Sequence, residues 1–301
     1  MTEQIRKLEK EARILEPDFE ERIRLAAKTM RYAQHFLDEL PDKKAYVPSE
    51  DKGRRIRENP FSEGPSNLDS LLDMVEQEVD TPGLNPASGG HLGYIPGGGL
   101  YPSALADLLA AVSNRYAGVF FSSPGAVRIE NMCLRWLCDL VGYPDGAAGN
   151  LTSGGSIANL IAVVTARDAA GLQSNAFEKA VIYTTGQVHH CADKSFHVAG
   201  MEDAVIRRVP MDDRFRIRPE ALQSQIRRDR DQGLNPFLIF ASAGTTDVGA
   251  VDPMQPLAEI AEKEKIWFHV DAAYGGAFLL TDYGKDLMKG IHRADSVIID
   301  P

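Results

Sequence analysis

The chain has 301 residues, of which 44% are hydrophobic and 25% charged, and 33 Lys and Arg oppose 43 Asp and Glu for a formal net charge of −10. This composition is typical of a soluble globular protein, and the negative charge argues against a surface built mainly for nucleic acid or anionic membranes. The three cysteines, Cys133, Cys138 and Cys191, are too few and too widely spaced for a secreted disulfide framework. Because the amino terminus is charged and no apolar run reaches the length of a membrane span, we expect a cytoplasmic protein without a signal peptide or anchor.

The first 80 residues are predicted to form an amphipathic helical arm and a linker. Residues 3–40 are rich in Glu, Lys, Arg, Leu and Ala, with apolar side chains at helical spacing from Ile23 to Leu37, and Pro41 ends the pattern. Residues 41–67 are polar and rich in Pro and Gly, and a helix over about 68–79 follows. An apolar stripe on a helix must be buried, so we expect the arm to pack on the protein body or on a partner subunit.

Residues 81–301 are predicted to form one large domain. Its first segment, 81–102, holds four prolines and seven glycines, which no regular element can contain, so it is a candidate functional loop. Helices follow near 103–114 and 126–141, and from residue 150 onward apolar strands alternate with helices. The predicted strands are 181–185, 204–209, 237–242, 266–271 and 296–299, and the predicted helices are 156–169, 190–199, 219–231 and 254–264. This alternation predicts a mostly parallel sheet covered by helices on both faces, with ligands bound at the carboxyl ends of the strands.

The segment Leu151–Leu160 is a candidate anion site. It reads LTSGGSIANL and leads directly into a predicted helix. Small residues let the backbone approach a ligand, and the free N–H groups of a helix start attract phosphate. The segment matches neither a dinucleotide-binding nor a Walker motif, and an ordinary serine cap after a glycine turn is the alternative.

Histidines and a cysteine follow the strand that ends near residue 185. His189, His190 and Cys191 suggest metal ligands, but adjacent residues seldom point at one ion. A single imidazole here could instead stack on a planar ligand, or cap a helix. A metal-dependent hydrolase that uses His189, His190, His269 and Asp271 remains an alternative, although we expect no metal.

An aspartate ends the strand near residue 271. Residues two apart share a strand face, so His269 and Asp271 point the same way. A buried carboxylate needs a cationic or hydrogen-bonded partner, which a protonated ring nitrogen on a cofactor or a structural salt bridge would supply. The segment Ala243–Asp252 places Gly-Thr-Thr at the end of another strand, where an ordinary turn is the alternative.

Together these residues resemble the pyridoxal-phosphate-dependent group II amino acid decarboxylases, which include aromatic-amino-acid and glutamate decarboxylases. The similarity runs from the Tyr94–Pro102 region to Pro301, and its most specific parts are Thr152–Leu160, His189, Gly244–Thr246 and His269–Tyr274. The resemblance implies an α/β fold of the fold type I, aminotransferase-like class, with the cofactor pyridoxal 5′-phosphate.

The resemblance also implies roles for residues near the cofactor phosphate. Gly155 and Ser156 would hold the phosphate, with Asp300 close to it, although the family often has asparagine at that position. In the family the segment equivalent to Asp300-Pro301 is followed by His-Lys, and that lysine binds the cofactor covalently. We therefore expect this lysine, and a carboxyl-terminal small domain, to be absent from the 301 residues.

Around the pyridine ring the resemblance implies two catalytic residues, His189 and Asp271. His189 would stack on the ring, and Asp271 would pair with its protonated nitrogen. Ala273 would pack on the opposite ring face, and Thr246 would form a hydrogen bond near His189 or the ring substituents.

The substrate side is expected to include Tyr94, Ile95, Pro96 and Tyr116, which the resemblance places at the pocket. Tyr94 and Ile95 offer an apolar wall, and no arginine lies in residues 91–102 to bind a side-chain carboxylate. We therefore expect a lyase that decarboxylates an L-amino acid, with an aromatic side chain, to its amine and carbon dioxide in a cytoplasmic homodimer. The alternatives are another pyridoxal-phosphate lyase, an aldehyde synthase of the same fold, or a non-catalytic fragment.

Overall fold

The computed structural model describes residues 1–60 and 63–301, which form two compact units, residues 1–112 and 113–301. The predicted arm and linker, residues 1–80, fall within the first unit, and the predicted domain boundary after residue 80 stays a prediction. Residues 61 and 62 of the predicted linker lie outside the described residues. In the part of the chain that is described, no helix has the length and apolar character needed to cross a membrane.

The first unit contains five helices and a two-stranded antiparallel ribbon within its described residues. Its helices are α1 Thr2–Ala12, α2 Phe19–Asp38, α3 Arg54–Arg57, α4 Leu68–Val75 and α5 Tyr101–Ser113, and its strands are β1 Tyr46–Val47 and β2 Gly83–Leu84. A π-helical segment, Glu76–Asp80, continues α4. The ribbon and α3 were not predicted, because each strand has only two residues and forms by pairing across the chain, Tyr46 with Leu84.

The predicted helical arm is confirmed as helical but consists of two helices. Pro17 lies between α1 and α2, and a proline in a helix interior lacks an N–H and clashes with the preceding turn. The second helix is capped by Asp18, which precedes its first residue and whose side chain accepts a hydrogen bond from the Glu21 N–H at 2.9 Å. This cap satisfies one of the otherwise unpaired donors of the first turn.

The second unit is built on a five-stranded parallel sheet. Its strands are β3 Ala180–Thr184, β4 Val205–Arg208, β5 Asn235–Ser242, β6 Trp267–Ala272 and β7 Ser296–Ile299, in the order β4-β3-β5-β6-β7. Its helices are α6 Pro124–Val141, α7 Gly155–Ala169, α8 Cys191–Val198, α9 Pro219–Asp231, α10 Met254–Glu264 and α11 Asp282–Leu287. The predicted fold class, a parallel sheet flanked by helices, is confirmed.

Alternating side chains of the central strands enter two separate hydrophobic cores. Leu238 and Phe240 of β5 pack in a cluster with α7 and α8, whereas Ile239 and Ala241 pack in a cluster with α9 and α10. Because both faces of the sheet are covered, the strands are continuously apolar rather than alternating with polar residues. The two cores thus hold the carboxyl ends of the strands in fixed positions.

The edge strand β4 carries two paired arginines. Arg207 binds the fully buried carboxylate of Asp229 in α9 at 2.6 Å, and Arg208 binds Asp193 in α8. Both ion pairs tie the edge strand to helices of the second unit.

Candidate active site

Polar residues collect at the carboxyl ends of the parallel strands in the second unit. Thr246 follows β5, Asp271 lies near the end of β6 with Ala273 just beyond it, and Asp300 follows β7. Since Ala272 pairs with Ile299 in parallel register, the segments that hold Ala273 and Asp300 leave the sheet side by side. The predicted cofactor residues of the second unit therefore share one edge of the sheet with the amino terminus of α7.

Asp271 is a buried carboxylate that has hydrogen bonds but no ion pair among the described residues. It is 9% exposed; its Oδ1 accepts from the Ala273 N–H at 3.1 Å, and its Oδ2 accepts from Asn159 Nδ2 at 3.0 Å. Burial raises the pKa of Asp271, against the lowering effect of its hydrogen bonds to Ala273 and Asn159. Such a group is suited to bind a cation delivered by a ligand, because a buried carboxylate without a charged partner is costly.

Asn159 joins Asp271 to a second buried residue of β6. Its Oδ1 lies 2.9 Å from His269 Nε2, while His269 Nδ1 lies 2.8 Å from Ser296 Oγ in β7. Trp267 Nε1 donates to the same Ser296 oxygen at 2.9 Å. As predicted, His269 and Asp271 lie on the same strand face. The sequence alone assigns no role to Asn159, Ser296 or Trp267, because they are distant from one another in the chain and meet only in the folded protein.

The amino terminus of α7 can receive an anion. Gly154 precedes it with φ +144°, a backbone conformation that favours glycine, and no side chain caps the helix. The first backbone N–H groups of a helix have no intrahelical partner, and those of Gly155 and Ser156 find no acceptor in the described chain. A Cβ atom at Gly154 or Gly155 would meet no protein atom within 4 Å, so space is open beside this helix start.

His189 is a half-buried, neutral imidazole beside the same edge. Its Nδ1 accepts from the Cys191 N–H at 3.3 Å, which leaves the proton on Nε2 in the neutral ring. Burial, together with the neighbouring His190, lowers the pKa of His189. The ring is therefore apt for stacking rather than for carrying charge at neutral pH.

The hypothesis of a metal-dependent hydrolase does not fit this geometry. Both ring nitrogens of His269 are engaged, one with Asn159 and one with Ser296, and the ring is fully buried. His189 Nδ1 is likewise held by a backbone N–H. The four residues of that hypothesis thus do not present a shared set of free ligand atoms.

The predicted substrate residues are divided between the two units. Tyr94, Ile95 and Pro96 lie in the first unit, where Tyr94 is 73% exposed and both Tyr94 and Ile95 have positive φ angles, 67° and 66°. Tyr116 lies in the second unit and is 69% exposed. Non-glycine residues with such φ angles are uncommon and often mark functional segments. The substrate roles of these four residues stay predictions.

An edge that offers backbone donors to an anion at one end and a buried carboxylate to a cation nearby is characteristic of α/β proteins that bind a phosphorylated cofactor. Residues 52–301 match the family model described as the pyridoxal-dependent decarboxylase conserved domain, and the chain belongs to this family.

Individual relatives agree with this family. The chain is 34% identical over 290 residues to an aromatic-L-amino-acid decarboxylase of Bacillus atrophaeus, covering 93% of this chain and 60% of that protein. It is 33% identical over 243 residues to a phenylacetaldehyde synthase of Arabidopsis thaliana, covering 77% of this chain and 49% of that protein. The structure of Catharanthus roseus tryptophan decarboxylase in complex with L-tryptophan aligns with a TM-score of 0.83 and 25% identity over 94% of this chain and 63% of that one. The chain thus spans about half to three fifths of the length of these relatives.

Proposed function

We propose that the protein binds pyridoxal 5′-phosphate at the carboxyl edge of its sheet and decarboxylates an L-amino acid, with an aromatic side chain, to the amine and carbon dioxide. The observation that carries this proposal is Asp271, a buried carboxylate at a strand end that lacks a cationic partner among the described residues. Family membership supports the same chemistry.

The residues at this edge fit the two ends of that cofactor. The free N–H groups at Gly155 and Ser156 would hold the phosphate, and Asp300 would lie near it. Asp271 would pair with the protonated pyridine nitrogen, which its negative charge stabilises. These assignments rest on the open space at the start of α7 and on the Asp271 carboxylate, which has no cationic partner among the described residues.

Three residues would complete the surroundings of the ring. The neutral imidazole of His189 would stack on one face, and the small side chain of Ala273 would leave room at the other. Thr246 would form a hydrogen bond near His189 or the ring substituents. His189 thus fixes the plane of the ring without placing a second cation beside the pyridinium.

When bound, the cofactor supplies an electron sink for the pair left by departing carbon dioxide. The contribution of Asp271 is to hold a proton on the ring nitrogen, which keeps that sink strong. The apolar side chains Tyr94, Ile95 and Tyr116, with Pro96, would contact the substrate side chain. The absence of arginine from residues 91–102 favours an aromatic over an acidic substrate.

We also propose that the protein acts in the cytoplasm as a homodimer. Exposed apolar residues on both arm helices, such as Ile5, Leu8 and Ile23, support burial of the arm against a partner subunit.

The test measures carbon dioxide and amine from purified full-length protein supplied with pyridoxal 5′-phosphate and L-Phe, L-Tyr, L-Trp or L-Glu. We expect amine from an aromatic substrate. The variant Asp271→Asn should lower kcat about 10- to 100-fold, because the amide loses a charge-assisted hydrogen bond to the ring nitrogen. The exposed Asp282→Asn is the matched control and should retain full activity. Lack of carbon dioxide from every L-amino acid would disprove decarboxylation.

A second candidate is oxidative aldehyde formation, which the similarity to the phenylacetaldehyde synthase favours. In that reaction the amino acid, dioxygen and water would give the aldehyde, carbon dioxide, ammonia and hydrogen peroxide, so it also requires dioxygen. The same reactions assayed for aldehyde and ammonia separate the two outcomes, since a decarboxylase releases amine and an aldehyde synthase does not accumulate it.

A further inference from the structure

The hydrogen bonds behind Asp271 have a direction that can be deduced atom by atom. Asn159 turns its amide nitrogen toward Asp271 Oδ2 at 3.0 Å, which is the arrangement that suits an ionised carboxylate, because such a group only accepts hydrogen bonds. The second hydrogen of that nitrogen points toward Cys191 Sγ at 3.3 Å, a weak acceptor. Both amide hydrogens are therefore used, and Asn159 Oδ1 must face His269.

The orientation of Asn159 in turn sets the proton position on His269. Since Asn159 Oδ1 accepts, His269 Nε2 must donate to it across 2.9 Å. Complete burial lowers the pKa of His269 to about 3, so the ring is neutral and Nδ1 carries a lone pair. Ser296 Oγ then donates to Nδ1 across 2.8 Å, and Ser296 Oγ itself accepts from Trp267 Nε1. Each donor in this series points toward Asp271.

We propose that Trp267, Ser296, His269 and Asn159 form a one-way hydrogen-bond relay that positions the Asp271 carboxylate and holds it in its ionised form. The relay deepens the proposed function and rests on it, because an ionised Asp271 is what a protonated cofactor ring requires. Asn159 is the positioning residue in contact with Asp271, and the other three fix the orientation of Asn159.

The burial of the relay argues that it has more than a packing role. Asn159 is 1% exposed and His269 is fully buried, next to the ring of Phe240 at 4.6 Å between centroids. Polar side chains cost free energy in such surroundings, and apolar residues of similar size would pack there without that cost. Apolar residues would lack a hydrogen-bond donor to Asp271 Oδ2. The donor from Asn159 stabilises the ionised carboxylate and so opposes the rise in the Asp271 pKa that burial causes.

The relay also leaves Asp271 able to bind a further donor. Its Oδ1 accepts one backbone N–H and its Oδ2 accepts one amide hydrogen, whereas two carboxylate oxygens offer about four acceptor positions. Among the described residues no lysine or arginine pairs with it, and the lowered pKa of His189 leaves that ring uncharged at neutral pH. The remaining acceptor positions of the Asp271 carboxylate are available to the N–H of a protonated pyridine ring.

The first test reads the tautomer of His269 in ligand-free full-length protein labelled with 15N-histidine. We expect protonated Nε2 and unprotonated Nδ1, unchanged between about pH 5 and 8, where an ordinary histidine changes charge. The signals are assigned by their loss in His269→Gln, whose amide nitrogen can still donate to Asn159. A proton on Nδ1, or a doubly protonated ring in this range, would overturn the relay.

The second test measures non-covalent binding by calorimetry with pyridoxine 5′-phosphate, which lacks the aldehyde, and with its analogue carrying C–H in place of the ring nitrogen. Asn159→Leu should weaken binding of the nitrogen compound about 10- to 100-fold and leave binding of the carbon analogue unchanged. Thr165→Ala, an exposed position on the same helix, is the control and should change neither.

Equal weakening for both compounds would mean that Asn159 has only a structural role and would refute the relay. Ser296→Ala should weaken binding of the nitrogen compound less than Asn159→Leu does. Ser296→Thr, which keeps the hydroxyl, should restore the parent affinity. If Ser296→Thr binds no better than Ser296→Ala, Ser296 is not part of the relay. These readouts are independent of turnover. If His269 carries its proton on Nε2 but the protein releases no carbon dioxide, the relay stands and the proposed decarboxylation is rejected. If the protein decarboxylates an amino acid but His269 carries its proton on Nδ1, the decarboxylation stands and the relay is rejected.

Discussion

His269 makes the folded second unit sensitive to acid. Its pKa is about 3 in the folded protein and about 6.5 in an unfolded chain. The folded state disfavours the protonated ring, whereas the unfolded chain accepts the proton freely. The free energy of unfolding is therefore undiminished by this residue above about pH 6.5 and falls as the pH drops toward 3. We expect the free energy of unfolding to be about 2 kcal/mol lower at pH 5 than at pH 7 from this residue alone.

Urea denaturation of His269→Gln at the two pH values checks this prediction. The glutamine cannot titrate, so the variant should lose this part of the pH dependence even if it is less stable at pH 7. His292→Gln, at an exposed position, is the control and should keep the slope of the parent protein. An unchanged pH dependence in His269→Gln would show that His269 is not the acid-sensitive group.

At the scale of elements, Gly275 lets the segments after β5 and β6 touch. A Cβ atom at Gly275 would lie 2.0 Å from the carbonyl oxygen of Ala243, a distance that no rotamer change can relieve. The Ala243 N–H also donates to the Asp271 carbonyl at 2.8 Å. The two loops that carry Thr246 and Ala273 are thereby held against each other.

We therefore expect Gly275→Ala to lower the free energy of unfolding by about 2–4 kcal/mol, because the backbone must move to accept the methyl group. Gly186→Ala is the matched control, since its Cβ would meet only the end of Met211 at 3.8 Å. Thermal or urea unfolding measures both. Wild-type stability in Gly275→Ala would show that the loops can separate freely.

The sequence predicted the five strands and five of the six α-helices of the second unit to within about two residues, but not α11, whose six residues are too few to show a helical period. Long apolar runs such as Phe237–Ser242 identify buried strands because both faces of the sheet are covered. In the first unit the pattern predicted helices but neither the break at Pro17 nor the ribbon of β1 and β2, whose two-residue strands exist only through their pairing.

The candidate site was predicted less completely than the fold. The resemblance supplied Asp271 and His189, whose roles stay predictions, and strand periodicity placed His269 on the face of Asp271. Asn159 and Ser296 lie 110 and 27 residues from His269 in the chain, so only the tertiary fold brings them together. No local pattern marks such partners.

At the scale of the whole molecule, substitutions in the amino-terminal arm, residues 3–40, test the proposed dimer. Ile5 and Leu8 are 57% and 60% exposed on one side of α1. If that side is buried against a second copy, Ile5→Glu with Leu8→Glu should weaken dimerisation of the full-length protein at least about tenfold, because two apolar side chains worth about 1.5–3 kcal/mol each would be replaced by charges.

Sedimentation equilibrium measures this change. Lys7→Glu on the polar side of α1 is the control, since its side chain is 77% exposed and pairs with Glu11 of the same helix. A monomeric parent protein would contradict the proposed dimer, and an unaffected dimer in the double variant would place α1 outside the interface.

The paired arginines of β4 have a consequence for handling the protein. An edge strand exposes unpaired backbone groups that can recruit a strand from another molecule, and charged side chains on that edge discourage such fibril-like association. Arg207 is kept on this edge by Asp229 and Arg208 by Asp193. Because an arginine side chain stays charged at every ordinary working pH, this edge keeps its protection in acidic and neutral buffers alike, and replacing both arginines with uncharged residues is the change that would open the strand to such association.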